Sequence, residues 1–221
     1  MLPDDSNKPM TENPSDSDQL TYLALGDSYT IGEGVSDGFR YPVQLVEKLN
    51  SETEKPWAAA KVIARTGWTV DELEQGIYSA DIQGKNYDLV TLSIGVNNQY
   101  RGLPITKFEK EFENMLLRAI SFAGVNSKHV MVLSIPDWGV TPFATQSGRD
   151  KSKIAEEIDG YNQIKAEICE KHKVTFIDIT AQYRNLGVQP EMLAADELHP
   201  SAKMYELWTE KLYEHVKTIN F

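Results

Sequence analysis

The sequence has little of three things that mark other classes of protein: cysteine, basic charge and long apolar runs. Its 221 residues include one cysteine, Cys169, expected in the core or at its boundary, so an internal disulfide bond and a cysteine-rich metal site are excluded. Lys and Arg number 22 against 33 Asp and Glu, and the net charge of −11 disfavours nucleic acid as a partner because like charges repel. No run approaches the roughly 20 apolar residues that a membrane-spanning helix requires, so no such segment is expected.

Residues 1–19 contain almost no side chains that a core could bury, and Pro, Ser, Asn and Asp prevail there. Such a composition predicts a disordered leader. The segment lacks the charged and then apolar order of a signal peptide. Two localisations fit it: a cytoplasmic protein, or an exported one from which a signal or lipid-anchor segment has been removed. The sequence leaves this choice and the oligomeric state open.

Short apolar runs with the length of buried strands recur along residues 20–221. Stretches with helical spacing lie between them, and this alternation implies right-handed βαβ crossovers. The predicted fold is therefore α/β, with a five-stranded parallel sheet between two layers of helices. No linker or repeat interrupts the pattern, so residues 20–221 are predicted to form a single domain. The expected strands are residues 20–25, Val62–Ala64, Leu89–Ile94, Val130–Ile135 and Val174–Ile179.

The helical stretches are marked by apolar stripes and by capping residues. Thr69 followed by Glu72 has the spacing of a capping box, which opens a short helix. The clearest stripe runs through the segment that ends before Gly124, a residue suited to a helix stop. The predicted helices are Tyr41–Glu52, a short one after Thr69, Thr106–Ala123, residues 150–172 and one opened by Ser201.

Asp27 and Ser28 come directly after the first apolar run, which stops at Gly26. A polar residue that follows a buried strand lies at the carboxyl edge of the sheet, where open α/β folds bind their ligands. Ser28 is therefore placed like a nucleophile, although a serine in a glycine-containing turn more often serves as a cap. The catalytic interpretation requires a base and an oxyanion site elsewhere in the chain.

His199 is the candidate base among four histidines. It lies in the segment ADELHPS, three residues after Asp196 and directly before Pro200. That separation across a turn lets the carboxylate reach Nδ1 of the imidazole and leaves Nε2 for a hydroxyl. The alternatives are a chance pairing at a helix entry, or a metal pair that lacks further ligands. The remaining histidines, expected at surface or capping positions, are His129, His172 and His215.

Glycine and asparagine follow two further strand ends. Gly95 ends the third run, and Asn97 and Asn98 come next. An asparagine amide donates hydrogen bonds without carrying charge, which suits a developing oxyanion. Gly67, after the second run, offers a backbone N–H near the same point, with plain turn formation as the alternative role. The loop of residues 136–149 follows the fourth strand at this edge and is expected to shape a pocket.

The blocks GDSYTIGEG, Gly67, GVNN and DELHP occur in an order that resembles the SGNH (GDSL-type) hydrolase family of esterases and lipases. The four residues that name the family match Ser28, Gly67, Asn97 and His199. The resemblance implies a flavodoxin-like five-stranded sheet and an oxyanion hole made by the N–H groups of Ser28 and Gly67 and the Asn97 side chain. It also implies Asp196 as the third triad member, with no metal or organic cofactor.

Two positions depart from the pattern of that family. Tyr29 stands where the serine block commonly has Leu, which changes the packing beside the nucleophile. Asn98 stands where the asparagine block commonly has Asp, an acid that usually serves as a structural anchor. Asp27 is adjacent to Ser28 along the chain, so its side chain is expected to point away from the nucleophile and to act as a hydrogen-bonding anchor.

These residues lead us to expect a serine ester hydrolase that works through an acyl-enzyme. Members of the family cleave acetyl groups from sugars, short acyl esters, thioesters and lysophospholipids, and the absence of an extended hydrophobic lid favours small acyl or acetyl esters. The alternatives are a non-catalytic interaction domain or a flavodoxin-like phosphate- or cofactor-binding module with Ser28, Thr30 and Gly32 in its cradle. The aromatic residues expected near the substrate are Tyr29, Trp68, Tyr100, Trp138 and Phe143.

Overall fold

The computed structural model describes residues 19–221. The disordered leader predicted for residues 1–19 lies outside the described residues, apart from Gln19. Among the helices of the described part, none is long and apolar enough to cross a membrane.

One parallel sheet forms the middle of the molecule, with its strands in the order β2-β1-β3-β4-β5. Each strand overlaps one of the five predicted runs, so the predicted α/β fold with a five-stranded parallel sheet is confirmed. The chain passes from β1 to β2 on one side and then crosses back over β1 to reach β3 on the other side. Such a reversal opens a crevice at the carboxyl ends of the strands, where ligands bind in this class of fold. The strands are β1 Tyr22–Gly26, β2 Lys61–Ala64, β3 Leu89–Ser93, β4 Val130–Leu133 and β5 Thr175–Ile177.

Helices cover both faces of the sheet. The long helices occupy the predicted segments to within a few residues, whereas short helices at the carboxyl edge of the sheet are additional to the prediction. The α-helices are α1 Ser28–Ile31, α2 Tyr41–Glu52, α3 Val70–Ser79, α4 Val96–Tyr100, α5 Ile105–Phe122, α6 Pro142–Ser147, α7 Lys151–His172, α8 Thr180–Leu186 and α9 Ala202–Val216. Short 3-10 helices occur at Asp37–Phe39, Ser127–His129, Trp138–Val140 and Pro190–Met192.

The two helical layers are distinct in their contacts. Helix α2 packs against α9 in one layer, and α5 packs against both α3 and α7 in the other. The helix starts follow the predicted capping residues: the Glu72 carboxylate accepts the Thr69 N–H at 2.9 Å, and the Ser201 hydroxyl accepts the Met204 N–H at 3.4 Å. Helix α5 ends as Gly124 takes a left-handed conformation with φ of 63°.

The core lies on both faces of the sheet, and β1 and β3 are buried along their whole length. Cys169 is completely buried in α7, which places it in the core and not at its boundary. The stripe of α5 is buried as its spacing predicts, with its members Phe108, Phe112, Met115, Leu116, Ala119 and Ile120. Burial of the strands on both faces fixes their carboxyl ends relative to one another, and the candidate site lies at those ends.

Candidate active site

Ser28 is the first residue of α1, in a turn that leaves no room for larger residues. A Cβ at Gly26 would overlap with the Thr30 side chain and with the Ser93 carbonyl oxygen. The Asp27 carboxylate accepts the Tyr29 N–H at 3.0 Å and so caps α1. This contact directs the carboxylate into the helix turn, which confirms its expected anchoring role. The tight turn leaves Ser28 at the end of β1, facing the crevice.

The Asp27 carboxyl is almost completely buried. Burial raises its pKa from the usual range to about 7, although the Tyr29 N–H and the Lys165 ammonium both favour the charged form. Asp27, the residue directly before Ser28, therefore changes its protonation state close to neutral pH.

His199 and Asp196 meet within one loop. Nδ1 of His199 lies 2.6 Å from Oδ2 of Asp196, while Oδ1 of Asp196 accepts the backbone N–H groups of His199 at 2.9 Å and of Leu198 at 3.0 Å. The Ala194 N–H donates to the His199 carbonyl at 2.8 Å and closes the loop. The carboxylate thus orients both the ring and the backbone of His199, as its three-residue separation predicts.

The pKa of Asp196 lies below its usual range. Partial burial alone would raise it, but the hydrogen bonds from the His199 ring and from the backbone of His199 and Leu198 outweigh this effect. Asp196 is therefore ionised at neutral pH, as the partner of an imidazole must be if it is to stabilise a positive charge.

Ser28 and His199 line the same cavity, together with Gly67 and Asn97. The volume of this cavity is about 190 Å³. Four residues from four separate segments of the sequence therefore converge on one space at the carboxyl edge of the sheet. The loop of residues 136–149, expected to shape a pocket, supplies Trp138 to the same space.

The two asparagines after β3 make different contacts. Nδ2 of Asn97 donates to the Trp68 carbonyl at 2.9 Å, which orients its amide beside Gly67. Oδ1 of Asn98 accepts the Val70 N–H at 3.1 Å, at the start of α3. Asn98 is buried, and its Nδ2 has no hydrogen-bond partner within residues 19–221. Asn97 faces the cavity, and Asn98 joins α4 to α3.

Gly67 occupies a conformation that favours glycine, with φ of 85°. Its carbonyl accepts a hydrogen bond from Nη2 of Arg101, and Nη1 of Arg101 pairs with Oε1 of Glu72 at 3.1 Å. Glu72 also caps α3 through Thr69. The Gly67 carbonyl is thereby fixed to the start of α3 through Arg101 and Glu72.

Four aromatic residues line the cavity. Of the five aromatic residues that the sequence places near the site, Trp68 is the exception: its indole ring lies against Gly76 of α3, so it contributes only its carbonyl to the site. The ring centroid of Tyr29 is 5.0 Å from that of His199. The aromatic residues that line the cavity are Tyr29, Tyr100, Trp138 and Phe143.

The Trp138 ring is fixed in the wall by a chain of hydrogen bonds. Nε1 of Trp138 donates to Oε1 of Gln99 at 2.9 Å, and Nε2 of Gln99 donates to Oε2 of Glu157 at 2.7 Å. Three further residues that line the cavity are not predicted from the sequence: Thr66, Val96 and Leu198. Each is adjacent in sequence to a predicted site residue, and this adjacency is the one sequence signal that could have identified them.

The other candidate ligands and bases lie away from this cavity. Nε2 of His172 lies 2.6 Å from Oε1 of Glu113. Within residues 19–221, no cluster of three or more His, Cys, Asp or Glu side chains has a metal-binding arrangement. The Thr30 hydroxyl is buried and lies 3.3 Å from the Tyr41 hydroxyl, so it does not face a phosphate cradle.

Comparisons with known proteins agree with this geometry. A family model described as GDSL-like lipase/acylhydrolase matches residues 24–207. The spore germination lipase LipC of Bacillus licheniformis is 29% identical over 213 residues, covering 87% of this chain and 94% of that protein.

Solved structures share the fold. A lipase/acylhydrolase from Enterococcus faecalis superposes with a TM-score of 0.67 at 22% identity, covering 90% of this chain and 96% of that one. The acetylxylan esterase Axe2 from Geobacillus stearothermophilus superposes with a TM-score of 0.68 at 18% identity, covering 90% and 95%. At these identities the superpositions show the fold alone. The family model spans most of the chain, and so this protein belongs to the GDSL-like lipase/acylhydrolase family of ester hydrolases.

Proposed function

We propose that the protein is a serine esterase that hydrolyses small acyl or acetyl esters, with Ser28, His199 and Asp196 as its triad. The observation that carries this proposal is the shared cavity, which Ser28 and His199 line together with Gly67 and Asn97. The 2.6 Å contact between Asp196 and Nδ1 of His199 leaves Nε2 as the nitrogen that accepts a proton.

The first half of the proposed reaction forms an acyl-enzyme. Oγ of Ser28 attacks the ester carbonyl carbon while Nε2 of His199 accepts the hydroxyl proton. The resulting tetrahedral intermediate breaks its bond to the alcohol oxygen, which takes the proton from His199 and leaves. Asp196 stabilises the imidazolium that exists between these two proton transfers.

The second half repeats the sequence with water. His199 takes a proton from a water molecule, whose oxygen attacks the acyl carbon bound to Ser28. The new tetrahedral intermediate breaks its bond to Oγ, and the proton on His199 returns to that oxygen. The acid leaves and the free serine is restored.

The oxyanion of both intermediates is assigned to the N–H groups of Ser28 and Gly67 and to the Asn97 amide. An amide nitrogen carries two hydrogens. One of those on Asn97 donates to the Trp68 carbonyl at 2.9 Å, and we assign the other to the oxyanion. Donors that are already oriented before reaction stabilise the developing charge without a reorganisation cost.

The dimensions of the cavity support a short acyl group. Its volume of about 190 Å³ is below the range of roughly 300–1,000 Å³ that is usual for sites of drug-sized ligands. Trp138 is completely buried and held through Gln99, so the wall has a firm boundary on that side. Among the similar proteins, one is named a lipase and another an acetylxylan esterase. The small cavity favours the acetyl end of that range.

The test is a series of chromogenic esters of increasing acyl length, including acetylated sugars, together with a fluorophosphonate probe. We expect covalent labelling of the protein and turnover that is fastest with the shortest chains. Ser28→Ala should lose labelling and about 10⁴- to 10⁶-fold of kcat, because only binding and oxyanion stabilisation remain.

The control is a thermal melt that shows Ser28→Ala to be folded. A Ser28→Ala protein that retains a tenth of the parent rate would exclude Ser28 as the nucleophile. Fastest turnover with long acyl chains would instead overturn the proposed substrate class while leaving the triad intact. A folded parent protein that neither labels nor turns over any ester would favour a non-catalytic domain.

A further inference from the structure

Lys165 is a charged residue in the otherwise apolar buried stripe of α7. It follows Tyr161 by four residues and precedes Ile168 by three, and both of these neighbours face the core. Its side chain is 0% exposed. The ammonium nitrogen lies 5.4 Å from the ring centroid of Phe112, in the middle of α5. A position that helical spacing assigns to an apolar side chain is therefore occupied by a cation.

Two backbone carbonyls receive this ammonium. Nζ of Lys165 donates to the Ile94 oxygen at 2.9 Å and to the Leu133 oxygen at 2.7 Å. Burial lowers the pKa of Lys165 to about 8, which reflects the cost of desolvating its charge. A protein with an apolar side chain of similar volume at such a place is often equally stable, so the stability of the fold does not explain why a lysine occurs here.

The two carbonyls lie at the carboxyl ends of β3 and β4. The ladder between β3 and β4 ends with the pair Leu92 and Val132, and Ile94 and Leu133 lie beyond it. Lys165 thus joins the two strands at the point where their own hydrogen bonds stop.

Ile94 leads directly into the segment that carries Asn97. Gly95 follows it with φ of 121° and precedes the first residue of α4. A Cβ at Gly95 would overlap with the Phe108 ring and would press on Ile135, which follows β4 by two residues. Helix α4 spans only Val96–Tyr100, too short to be stable by itself. Its orientation depends on how its first turn is anchored.

We propose that Lys165 is a positioning residue for Asn97: by holding the Ile94 and Leu133 carbonyls together, it fixes the turn from which the Asn97 amide faces the cavity. The inference rests on the proposed function, in which Asn97 is an oxyanion donor. Lys165 touches neither substrate nor Ser28 in this scheme. It acts through the backbone of residues 94–97.

A double-mutant cycle tests the inference, because a residue that acts through Asn97 has no effect once that amide is gone. The variants are Lys165→Met, which removes charge and donors, Lys165→Gln, which keeps a neutral donor, and each of them combined with Asn97→Ala. The measurements are kcat and KM for a chromogenic acetyl ester, with active sites counted by a fluorophosphonate probe.

We expect Lys165→Met to lower kcat by about 10- to 100-fold with little change in KM, since a misplacement of about 1 Å has an effect of that size. Lys165→Gln should lose less. In the Asn97→Ala background, the same substitutions should change kcat by less than about twofold, because non-additivity is expected only for residues that act together.

The control is Ile168→Ala, one turn further along the same stripe. It removes buried apolar volume and should lower the melting temperature, yet its kcat per active site should stay unchanged in both backgrounds. If Lys165→Met does not fold, Lys165→Gln completes the cycle. Equal losses with and without Asn97, or no loss in any folded Lys165 variant, would overturn the inference. An Asn97→Ala protein with full kcat would instead refute the oxyanion assignment itself.

Discussion

Asp196 and His199 are three residues apart and meet across one turn, whereas Gly67 and Asn97 come from the ends of different strands. The first pair is fixed by hydrogen bonds within its own loop. The Ala194 N–H donates to the His199 carbonyl, and the Asp196 carboxylate contacts both the backbone N–H and the ring of His199. In the second pair, Asn97 donates to the Trp68 carbonyl and Gly67 accepts from Arg101, and we have proposed that Lys165 of α7 positions Asn97 through the Ile94 carbonyl.

The difference separates local from tertiary support in one active site. A contiguous loop keeps its geometry as long as its own hydrogen bonds persist. A pair assembled from two strand ends depends on every element that packs against those ends, so its geometry responds to substitutions far away in the sequence. We therefore expect direct replacements in the acid–base loop to have the larger effects, and remote replacements to act only on the oxyanion side.

The largest effect should come from Asp196→Asn. Asparagine retains an oxygen for the backbone N–H groups of Leu198 and His199, so the loop should stay folded. Its amide cannot hold the imidazole in the required tautomer or stabilise the imidazolium, and we expect kcat to fall by about 10⁴-fold.

Steady-state kinetics with thermal melts measure this effect. The matched control is Glu197→Gln in the same loop, whose carboxylate accepts a hydrogen bond from the Gln146 side chain and whose replacement should change kcat little. An Asp196→Asn protein within tenfold of the parent would show that the local pair does not serve the reaction as proposed.

A smaller effect is expected on the oxyanion side, where two adjacent asparagines should respond differently. Asn97→Ala removes the donor that we propose for the charged intermediate, so kcat should fall by about 10²–10³-fold with KM nearly constant. Asn98→Asp keeps the acceptor for the Val70 N–H, removes the amide nitrogen that lacks a partner within residues 19–221, and introduces a negative charge at the start of α3. Its kcat should change little.

Kinetics on both variants, each shown to be folded by its melt, separate the two roles. The reverse result, in which Asn98→Asp loses kcat and Asn97→Ala keeps it, would place the oxyanion hole one residue away from its assigned position.

The last effect is on stability and not on turnover. It concerns Asp27, which caps helix α1 and is buried in the core. Its pKa is raised by burial to about 7, so the free energy of unfolding that it contributes is fully present below its unfolded pKa and is lost as pH rises through 7. Asp27→Asn keeps an acceptor for the Tyr29 N–H and does not titrate.

Between about pH 4 and 7, the free energy of unfolding of Asp27→Asn minus that of the parent should therefore rise, by at most about 1.4 kcal/mol per pH unit. Above this range the difference should level off. Urea unfolding across this range measures the difference. A difference that is constant with pH would show that Asp27 does not titrate in the folded protein as its burial predicts.

The sequence predicts well the elements and contacts that depend on local spacing, and it predicts only some of those that depend on tertiary packing. The strands and long helices follow from apolar periodicity, and the Asp196–His199 contact follows from a spacing of three residues. Trp68 shows the limit, because an aromatic residue after a strand turns towards the cavity or away from it according to the space available beside α3. Here Gly76 provides that space, and no local pattern signals it.

Lys165 shows the same limit from the other side. The sequence indicates only that a lysine falls among the core positions of a long helix. Which carbonyls it reaches depends on where β3 and β4 end relative to each other, and this is a property of the assembled sheet. The short helices α1, α4, α6 and α8 escape prediction for a related reason, since segments of four to seven residues form helices only when tertiary contacts hold them.

The contact between Trp68 and Gly76 has a consequence for engineering and for evolution. A glycine in the middle of a helix lowers stability by about 1 kcal/mol relative to alanine, so Gly76→Ala is a substitution that thermostability design would choose. A methyl group there would overlap with the indole ring of Trp68, whose carbonyl orients Asn97. With Asn97 in its proposed role as oxyanion donor, we expect Gly76→Ala to affect turnover as well as stability, so that selection on one trait at this position also acts on the other.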